Sequence, residues 1–337
     1  MIVILKPNIS KKDETVVVRE IRRLGYKPHV IHGVERTVIG AIGDERTHHT
    51  LETLITFPQV ESVMPVQKRY KLVSRLAHPA NSIINVRGNL IGGTKFHVMA
   101  GPCSVESEKQ LLKTAHAVKA AGATVLRGGA FKPRTSPYEF QGLGERALKL
   151  LAKARKETGL AVITELLSEN HAELVAEYAD ILQIGARNSQ NFQLLIAAAK
   201  TGKPILLKRG LSMKIEEWLL AGEYVLSNEN CSLMFCERGI RTFETYTRNT
   251  LDLSTIPIIK KESHCPIVID PSQGAGRADL VKAMCRGAVA MGADALLIEV
   301  HPEPAKAWSD GTQQVSLEVF AELMRELRPL ILASGRE

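Results

Sequence analysis

From residue 95 onward the sequence repeats one pattern eight times: a short apolar run, a polar or glycine-containing loop, and a stretch with the apolar spacing of a helix. The eight apolar runs lie at 97–100, 124–126, 161–164, 181–184, 204–207, 232–235, 266–269 and 295–298. Parallel strands need helical crossovers, and eight such strands close into a barrel. The pattern therefore predicts an α/β fold, a (β/α)8 (TIM) barrel, over residues 95–337.

Residues 1–70 carry a different pattern, in the order β-α-β-β-α-β. Strands are predicted at 2–5, 29–31, 37–42 and 60–66, and helices at 11–25 and 50–57. This order is the split βαβ, or ferredoxin-like, arrangement of a small α+β domain, and a packing or dimerisation module is the alternative to a regulatory one. Residues 71–94 are predicted to form a linker and a hairpin around Arg87, Gly88 and Asn89, in a position to plug the lower mouth of the barrel.

Composition narrows the range of functions. Hydrophobic residues make up 45% of the 337 and charged residues 24%, as in an ordinary globular protein, and no apolar run approaches the roughly 20 residues of a membrane span. The first residues lack the basic region and cleavage pattern of a signal peptide, so the predicted location is the cytoplasm.

The formal net charge is +8, but the basic residues form no stripe or tail, which favours small anionic substrates over nucleic acid. The five cysteines are an odd number without a CxxC spacing, which predicts that most of them are core thiols.

Charged side chains follow most of the predicted barrel strands. A barrel of this type has its active site at the carboxyl ends of the strands, so these residues should meet at one rim. They are Arg127, Lys132, Arg134, Glu165, Arg187, Lys208, Arg238 and Glu299. A lone arginine at a strand end usually forms a surface ion pair, but several converging cations are costly unless an anion neutralises them. Because arginine binds phosphate or carboxylate through two donors and lysine adds a point charge, the rim is predicted to bind at least one phosphate.

Cys103, Glu299 and Asp310 form a second group, in the first and last barrel loops. A thiolate and two carboxylates can hold a divalent cation, with a fourth ligand from the seventh loop. The alternative is a buried cysteine and two acids that pair with the rim cations. The residues alone leave both interpretations open.

Seven motifs resemble those of one enzyme family. They are GPCS (101–104), RGGAFKPRTSPYEFQGLG (127–144), QIGARN (183–188), LLKRG (206–210), CERGIRTFE (236–244), DPS (270–272) and EVHPEP (299–304). Together they closely resemble the 3-deoxy-D-arabino-heptulosonate 7-phosphate (DAHP) synthases of the type I β class, in which a ferredoxin-like regulatory domain precedes the barrel. The resemblance covers nearly the whole chain. Its KPRTS motif is specific, because the sister octulosonate-phosphate synthases share the barrel but not the Arg-Thr pair.

The resemblance implies a reaction and a set of residue roles. The family condenses phosphoenolpyruvate with erythrose 4-phosphate, the first step of the shikimate pathway to the aromatic amino acids. The residues implied to bind phosphoenolpyruvate are Arg127, Lys132, Arg187, Lys208 and Arg238, and those implied to bind erythrose 4-phosphate are Arg134, Thr135 and Ser136. The candidate catalytic residues are Lys132, Cys103 and Glu165. Glu165 is a possible water-activating base, and pairing with a rim cation is its alternative role.

The implied metal ligands contain one departure from the family. They are Cys103, Glu299, Asp310 and the residue after Asp270-Pro271-Ser272, which is histidine in the family and Gln273 here. An amide oxygen is a weaker and harder donor than an imidazole nitrogen for a divalent metal such as Mn, Fe, Zn, Co or Cu. There are three hypotheses: the metal binds more weakly through three residues with Gln273 or water, the metal has been lost, or the site is divergent with reduced activity.

The resemblance also implies partners. The N-terminal unit resembles regulatory domains through which tyrosine or phenylalanine inhibits this class, and family members are commonly homotetramers. Two other functions stay open at this point. One is a synthase for a related sugar phosphate, such as arabinose 5-phosphate. The other, suggested by Gln273, is a regulatory or binding protein that keeps the phosphate pocket without turnover.

Overall fold

A computed structural model describes residues 1–33, 36–43, 51–64, 69–134 and 136–337, without the side chain of Glu52. Contacts divide these residues into two compact units, 1–80 with 262–264 and 81–261 with 265–337. Within the described ranges, no helix is both long and apolar enough to cross a membrane.

The first unit contains four strands and two helical segments: β1 (Ile2–Leu5), α1 (Lys11–Arg23), β2 (Lys27–His32), β3 (Thr37–Ile42), a 3-10 helix (Leu51–Thr56) and β4 (Val60–Met64). The strands form one antiparallel sheet in the order β2-β3-β1-β4. This is the predicted ferredoxin-like arrangement, although the predicted second helix is a 3-10 helix. Residues 34, 35, 50, 65 and 66, which belong to or flank predicted elements, lie outside the described residues.

Strand β1 shows how this small unit fills a core on both faces of its sheet. Successive side chains of a strand point to opposite faces. Val3 packs in one cluster with Val17 and Ile21 of α1. Ile2, the preceding residue, packs on the other face with Val38. Both faces of the sheet are therefore apolar.

The second unit begins with a hairpin, β5 (Ile84–Val86) and β6 (Asn89–Ile91), and continues as eight parallel strands that close into a barrel. The barrel strands are β7 (His97–Gly101), β8 (Val125–Arg127), β9 (Ala161–Glu165), β10 (Ile181–Ile184), β11 (Ile205–Lys208), β12 (Leu233–Glu237), β13 (Ile267–Ile269) and β14 (Ala295–Glu299). The helices are α2 (Glu108–Ala120), α3 (Glu145–Thr158), α4 (Ala172–Tyr178), α5 (Phe192–Lys200), α6 (Ile215–Leu226), α7 (Thr255–Glu262), α8 (Pro271–Ala275), α9 (Ala278–Ala290) and α10 (Leu317–Ala333). Short 3-10 helices lie at Glu169–His171, Ala186–Asn188, Pro304–Lys306 and Gly311–Gln313. All eight predicted strands are confirmed.

The hairpin is part of the core inside the barrel. Ile84 and Ile91 are buried in one cluster with inward-facing strand residues, among them Ala161 and Ala295. These two alanines are the first residues of β9 and β14, so the hairpin packs against the amino ends of the strands. Side chains fill this part of the barrel, and the opposite end carries the polar residues.

Candidate active site

The carboxyl ends of the barrel strands surround a pocket of about 250 Å³. Seven of its lining side chains are cations: Arg127, Lys132, Arg134, Arg187, Lys208, Arg238 and Arg248. Three lining side chains are carboxylates: Glu139, Glu165 and Asp310. The structure thus brings all six predicted rim cations together and adds a seventh. Such an excess of positive charge in a concave site attracts anions.

Three of the pocket side chains come from the last residues of strands. Arg127 ends β8, Glu165 ends β9 and Lys208 ends β11. Each is still paired with a neighbouring strand, so the ladder holds its backbone while the side chain reaches the pocket. The predicted runs end one residue earlier, because a charged residue does not resemble the interior of a parallel strand.

Two buried guanidinium groups offer donors to a ligand. Nε of Arg127 and Nη1 of Arg238 are buried and have no hydrogen-bond partner among the described residues. An unsatisfied buried donor costs about 1–3 kcal/mol, so these atoms mark positions for an anionic oxygen. Lys208 is instead paired, with its Nζ 2.6 Å from Oδ2 of Asp270. Burial lowers the pKa of Arg238, although Asp270 opposes this effect.

The residues expected to contact erythrose 4-phosphate lie in the loop after β8. Arg134 lines the pocket, and its Nε donates to Oε2 of Glu139 at 2.6 Å. The hydroxyl of Ser136 accepts from the backbone N–H of Tyr138 at 3.3 Å, and Ser136 does not line the pocket formed by the described residues. Thr135 lies outside the described residues. The structure therefore places one of these three residues, Arg134, in the pocket.

Cys103, Glu299 and Asp310 converge beside the pocket. One possible ligand atom from each residue lies within 4.8 Å of the other two. Sγ of Cys103 is 3.4 Å from Oδ2 of Asp310 and 3.1 Å from Nζ of Lys132. A sulfur and two carboxylate oxygens at these separations suit a single divalent cation of the first transition series. The donor set therefore fits the metal that the resemblance implies.

Opposing charges set the protonation states of this group. Burial raises the pKa of the Cys103 thiol to about 11, and Glu299 adds to the effect. Burial alone would also raise the pKa of Glu299, but Arg127 and Lys132 outweigh it and lower that pKa to about 2. Arg127 is the direct partner, with Nη1 2.7 Å from Oε1 of Glu299. Glu299 is therefore ionised at pH 7, and Cys103 would release its proton when a cation binds.

Gln273 lies between an arginine and a carboxylate. Its Oε1 accepts from Nη2 of Arg238 at 2.5 Å, and its Nε2 donates to Oε1 of Glu299 at 3.1 Å. The backbone N–H of Gln273 donates to the side chain of Asp270, which caps the short helix α8. Both the backbone and the side chain of Gln273 are therefore held in place.

The interpretation of the sequence missed two residues of the site, Arg248 and Gln313. Nη1 of Arg248 lies 3.2 Å from Oδ1 of Asp310 and 3.2 Å from Oε1 of Gln313. Nε2 of Gln313 donates to Oε2 of Glu299 at 2.7 Å. The run DGTQQ (310–314) holds a signal for Gln313, because it places two amides three and four residues after a candidate ligand, Asp310. Nothing in the sequence around Arg248 points to the pocket.

A buried ion pair behind the pocket joins Arg209, the residue after β11, to Glu237 at the end of β12. Nη1 of Arg209 lies 3.0 Å from Oε2 of Glu237 and 2.9 Å from Oδ2 of Asp252. Side chains alternate along a strand, so Lys208 and Arg238, the neighbours of this pair in sequence, point to the pocket. The pair therefore fixes the backbone that carries two of the pocket cations.

The fold and the site together are those of a barrel enzyme with a cationic pocket next to three residues that could hold a divalent cation. The chain belongs to the DAHP synthetase I family, whose model matches residues 80–333. The model of the DAHP synthase ferredoxin-like domain matches residues 1–68.

Individual relatives agree with this family. The chain is 51% identical to a phospho-2-dehydro-3-deoxyheptonate aldolase of Thermotoga maritima over 335 residues, 99% of both proteins. It is 34% identical to a 2-dehydro-3-deoxyphosphooctonate aldolase of Caulobacter vibrioides over 255 residues, which are 70% of this chain and 87% of the relative.

Two solved structures are similar to this chain along its length or most of it. The phospho-2-dehydro-3-deoxyheptonate aldolase (DAHP synthase) of Thermotoga maritima superimposes with a TM-score of 0.80 and 50% identity, covering 100% of this chain and 98% of that one. A truncated form of 3-deoxy-D-arabino-heptulosonate 7-phosphate synthase from Thermotoga maritima has a TM-score of 0.75 and 49% identity, covering 80% of this chain and 98% of that one.

Proposed function

We propose that the chain condenses phosphoenolpyruvate with erythrose 4-phosphate to give DAHP and phosphate, as a 3-deoxy-7-phosphoheptulonate synthase of the shikimate pathway. The observation that carries the proposal is the pocket of seven cations beside Cys103, Glu299 and Asp310. Two phosphorylated substrates, one of them also a carboxylate, supply the negative charge that balances such a pocket. Family membership and the 51% identity along the chain support it.

The cations divide between the two substrates. The proposed ligands of phosphoenolpyruvate are Arg127, Lys132, Arg187, Lys208 and Arg238, and those of erythrose 4-phosphate are Arg134, Thr135 and Ser136. The donors of Arg127 and Arg238 that have no hydrogen-bond partner among the described residues support the first group. The place of Arg134 in the pocket wall supports the second group.

Cys103, Glu299 and Asp310 are the proposed donors for Mn, Fe, Zn, Co or Cu, and Gln273 or water would take the next position. A divalent cation bound there would supply Lewis-acid polarisation of the aldehyde oxygen. The convergence of the three donor atoms supports this site.

The side chains of the pocket are proposed to do the rest of the chemistry. The cations hold phosphoenolpyruvate with its C3 against the aldehyde carbon, which is catalysis by proximity. As the C–C bond forms, Lys132 gives a proton to the aldehyde oxygen. Water then adds to C2 and Glu165 accepts its proton. The bond between C2 and the phosphate oxygen breaks as the C2 hydroxyl loses its proton to Lys132 and becomes the ketone, and Glu165 gives its proton to the departing phosphate.

The chain outside the pocket is proposed to regulate this reaction. Residues 1–70 would form the regulatory domain, 71–94 the linker and hairpin, and 95–337 the catalytic barrel. Tyrosine or phenylalanine would be the inhibitor, acting on a cytoplasmic homotetramer. The match of residues 1–68 to the ferredoxin-like domain of DAHP synthases supports a regulatory role.

A synthase for arabinose 5-phosphate is the second candidate, which the 34% identity to the Caulobacter vibrioides relative favours. Phosphate release with phosphoenolpyruvate and either aldehyde separates the two. We expect kcat/KM for erythrose 4-phosphate to be at least about 100-fold higher, since a site built for one polar substrate rejects a mismatched one by this order or more. The reverse preference would overturn the proposal. Turnover with neither aldehyde, in the wild type and in Gln273→His with added Mn(II), would indicate a binding protein.

The metal requirement is tested with the same assay. Chelation should abolish activity, and Mn(II) should restore it. Full activity in chelator would rule out dependence on a metal. A partial loss would mean that the cations of the pocket carry part of the charge stabilisation.

A further inference from the structure

Two glutamines hold the same carboxylate. Gln273 and Gln313 each donate Nε2 to one oxygen of Glu299, at 3.1 Å and 2.7 Å. Each also accepts through Oε1 from an arginine of the pocket: Gln273 from Arg238 at 2.5 Å, and Gln313 from Arg248 at 3.2 Å. Gln273 therefore makes at Oε1 of Glu299 the same pair of contacts, to a carboxylate and to an arginine, that Gln313 makes at Oε2.

The partners fix the orientation of both amides. A guanidinium group can only donate hydrogen bonds and an ionised carboxylate can only accept them. The amide oxygen must therefore face the arginine, and the amide nitrogen must face Glu299. A half turn of Gln273 would set donor against donor at Arg238 and acceptor against acceptor at Glu299. The oxygen of Gln273, the side-chain atom able to bind a metal, is thus held by Arg238.

We propose that Gln273 is a positioning residue and not a metal ligand, and that it links Glu299 to Arg238 as Gln313 links Glu299 to Arg248. The cation site then has three protein donors, from Cys103, Glu299 and Asp310. The position that a fourth donor would take is left to water or substrate. The inference rests on the proposed function for the identity of the anion, phosphoenolpyruvate.

The link joins the cation site to the anion site. Nη2 of Arg238 holds Gln273, while the buried Nη1 of Arg238 has no partner within the described part of the chain. An anion can therefore bind Arg238 without breaking the link. Removal of the amide would leave Nη2 without the acceptor it has among the described residues and free the guanidinium to turn. Anion affinity should therefore depend on Gln273 even when no metal is bound.

The test measures phosphoenolpyruvate binding to the full-length protein after chelation, by isothermal titration calorimetry. Gln273→Met keeps the length of the side chain and removes both of its hydrogen bonds. Gln313→Met is the matched control, because it removes an equivalent bond to Glu299 but acts on Arg248. Each variant is first checked by its melting temperature. If Gln273→Met does not fold, Gln273→Leu takes its place.

We expect Gln273→Met to weaken phosphoenolpyruvate binding by about 10- to 100-fold, the value of a hydrogen bond to a charged group, and Gln313→Met to weaken it by less than about twofold. Unchanged affinity in Gln273→Met would overturn the proposal. Equal losses in both variants would do the same, because they would indicate a general effect of Glu299. A wild type that binds no phosphoenolpyruvate would overturn the proposed function, and this inference with it.

Cobalt(II) tests the open position at the metal. The charge-transfer absorption of a cobalt thiolate reports Cys103 as a ligand in every variant. Gln273→His should keep this band and bind cobalt at least about 10-fold more tightly than the wild type, because imidazole adds a donor where the wild type has none. The same variant should bind phosphoenolpyruvate more weakly when metal-free. Cobalt affinity no higher than that of the wild type would show that the position is already filled, and would overturn the proposal.

Discussion

The partner of each pocket cation decides what that cation can do. Arg127 pairs with Glu299, and both side chains are buried. Arg134 pairs with Glu139, whose side chain is 46% exposed. Water screens an exposed ion pair, so that it contributes at most about 1 kcal/mol. Arg134 can therefore exchange its carboxylate for a substrate phosphate at little cost, whereas Arg127 is held in place.

Arg134→Ala tests the division between the two substrates. We expect it to raise KM for erythrose 4-phosphate by about 10- to 100-fold, because a charge-assisted hydrogen bond contributes roughly 1.5–3 kcal/mol. KM for phosphoenolpyruvate should change by less than about twofold. Steady-state kinetics with each substrate varied in turn measures both. Arg286→Ala, which breaks an ion pair with Glu326 on the outside of the barrel, should change neither. Equal effects on the two substrates would contradict the assignment of Arg134.

Gly185 tests the role of Glu165. A Cβ atom at position 185 would lie 1.9 Å from Oε1 of Glu165, so Gly185→Ala must push that carboxylate aside. If Glu165 is the base, kcat should fall by about 100-fold, in the range measured for misplaced acid–base groups. The side chain of Glu165 can rotate away, so the melting temperature should stay close to that of the wild type. A kcat close to the wild-type value would leave Glu165 with the role of pairing a rim cation.

Two of the pocket cations, Lys208 and Arg238, lie at the ends of the adjacent strands β11 and β12. Arg209, directly after β11, pairs with Glu237 at the end of β12, and their sequence neighbours Lys208 and Arg238 line the pocket. Burial alone would lower the pKa of Arg209, but its hydrogen bonds and charge contacts with Asp252 and Glu237 outweigh this effect and raise it. The guanidinium stays charged, and the two strand ends stay in register.

Arg209→Met should destabilise the barrel by about 3–5 kcal/mol, because it leaves two carboxylates without their buried partner. Chemical denaturation followed by circular dichroism measures the loss. The double variant Arg209→Met, Glu237→Gln should recover part of it, since the charge left behind is the main cost. Arg277→Met breaks an exposed pair with Asp279 and should cost less than about 1 kcal/mol. A similar cost for the exposed and the buried pair would contradict this account.

Each of the two units has its own core. Val3, Val17 and Ile21 belong to the core of the first unit, and Ile84 and Ile91 to the core of the barrel unit. A domain with its own hydrophobic core can fold alone.

Removal of residues 1–70 tests the proposed regulation. The shortened chain should fold and keep kcat within about threefold of the full chain, because the pocket is built from the second unit. Inhibition by tyrosine or phenylalanine should be lost, because allostery needs both sites. Activity assays with and without each amino acid measure this effect. Inhibition that survives the truncation would place the effector site on the barrel unit.

The sequence by itself determined the two folds and most of the pocket. Eight apolar runs joined by helical crossovers can close into a parallel barrel. The carboxyl ends of the strands then all lie at one rim of that barrel. Arg127 and Lys208 at strand ends, and Lys132 in the loop after β8, could therefore be placed together. Local patterns suffice here, because the period of a strand or helix and the length of a connection are properties of the chain itself.

Only the tertiary structure decided what Gln273 does. Its residue type and its place in the sequence suggest a weak metal ligand, but its hydrogen bonds join Arg238 to Glu299. The same holds for Gln313 and Arg248, which come from separate loops and meet at the pocket. The reason is physical: an amide can accept or donate, and the choice is made by partners that the chain brings together from distant positions.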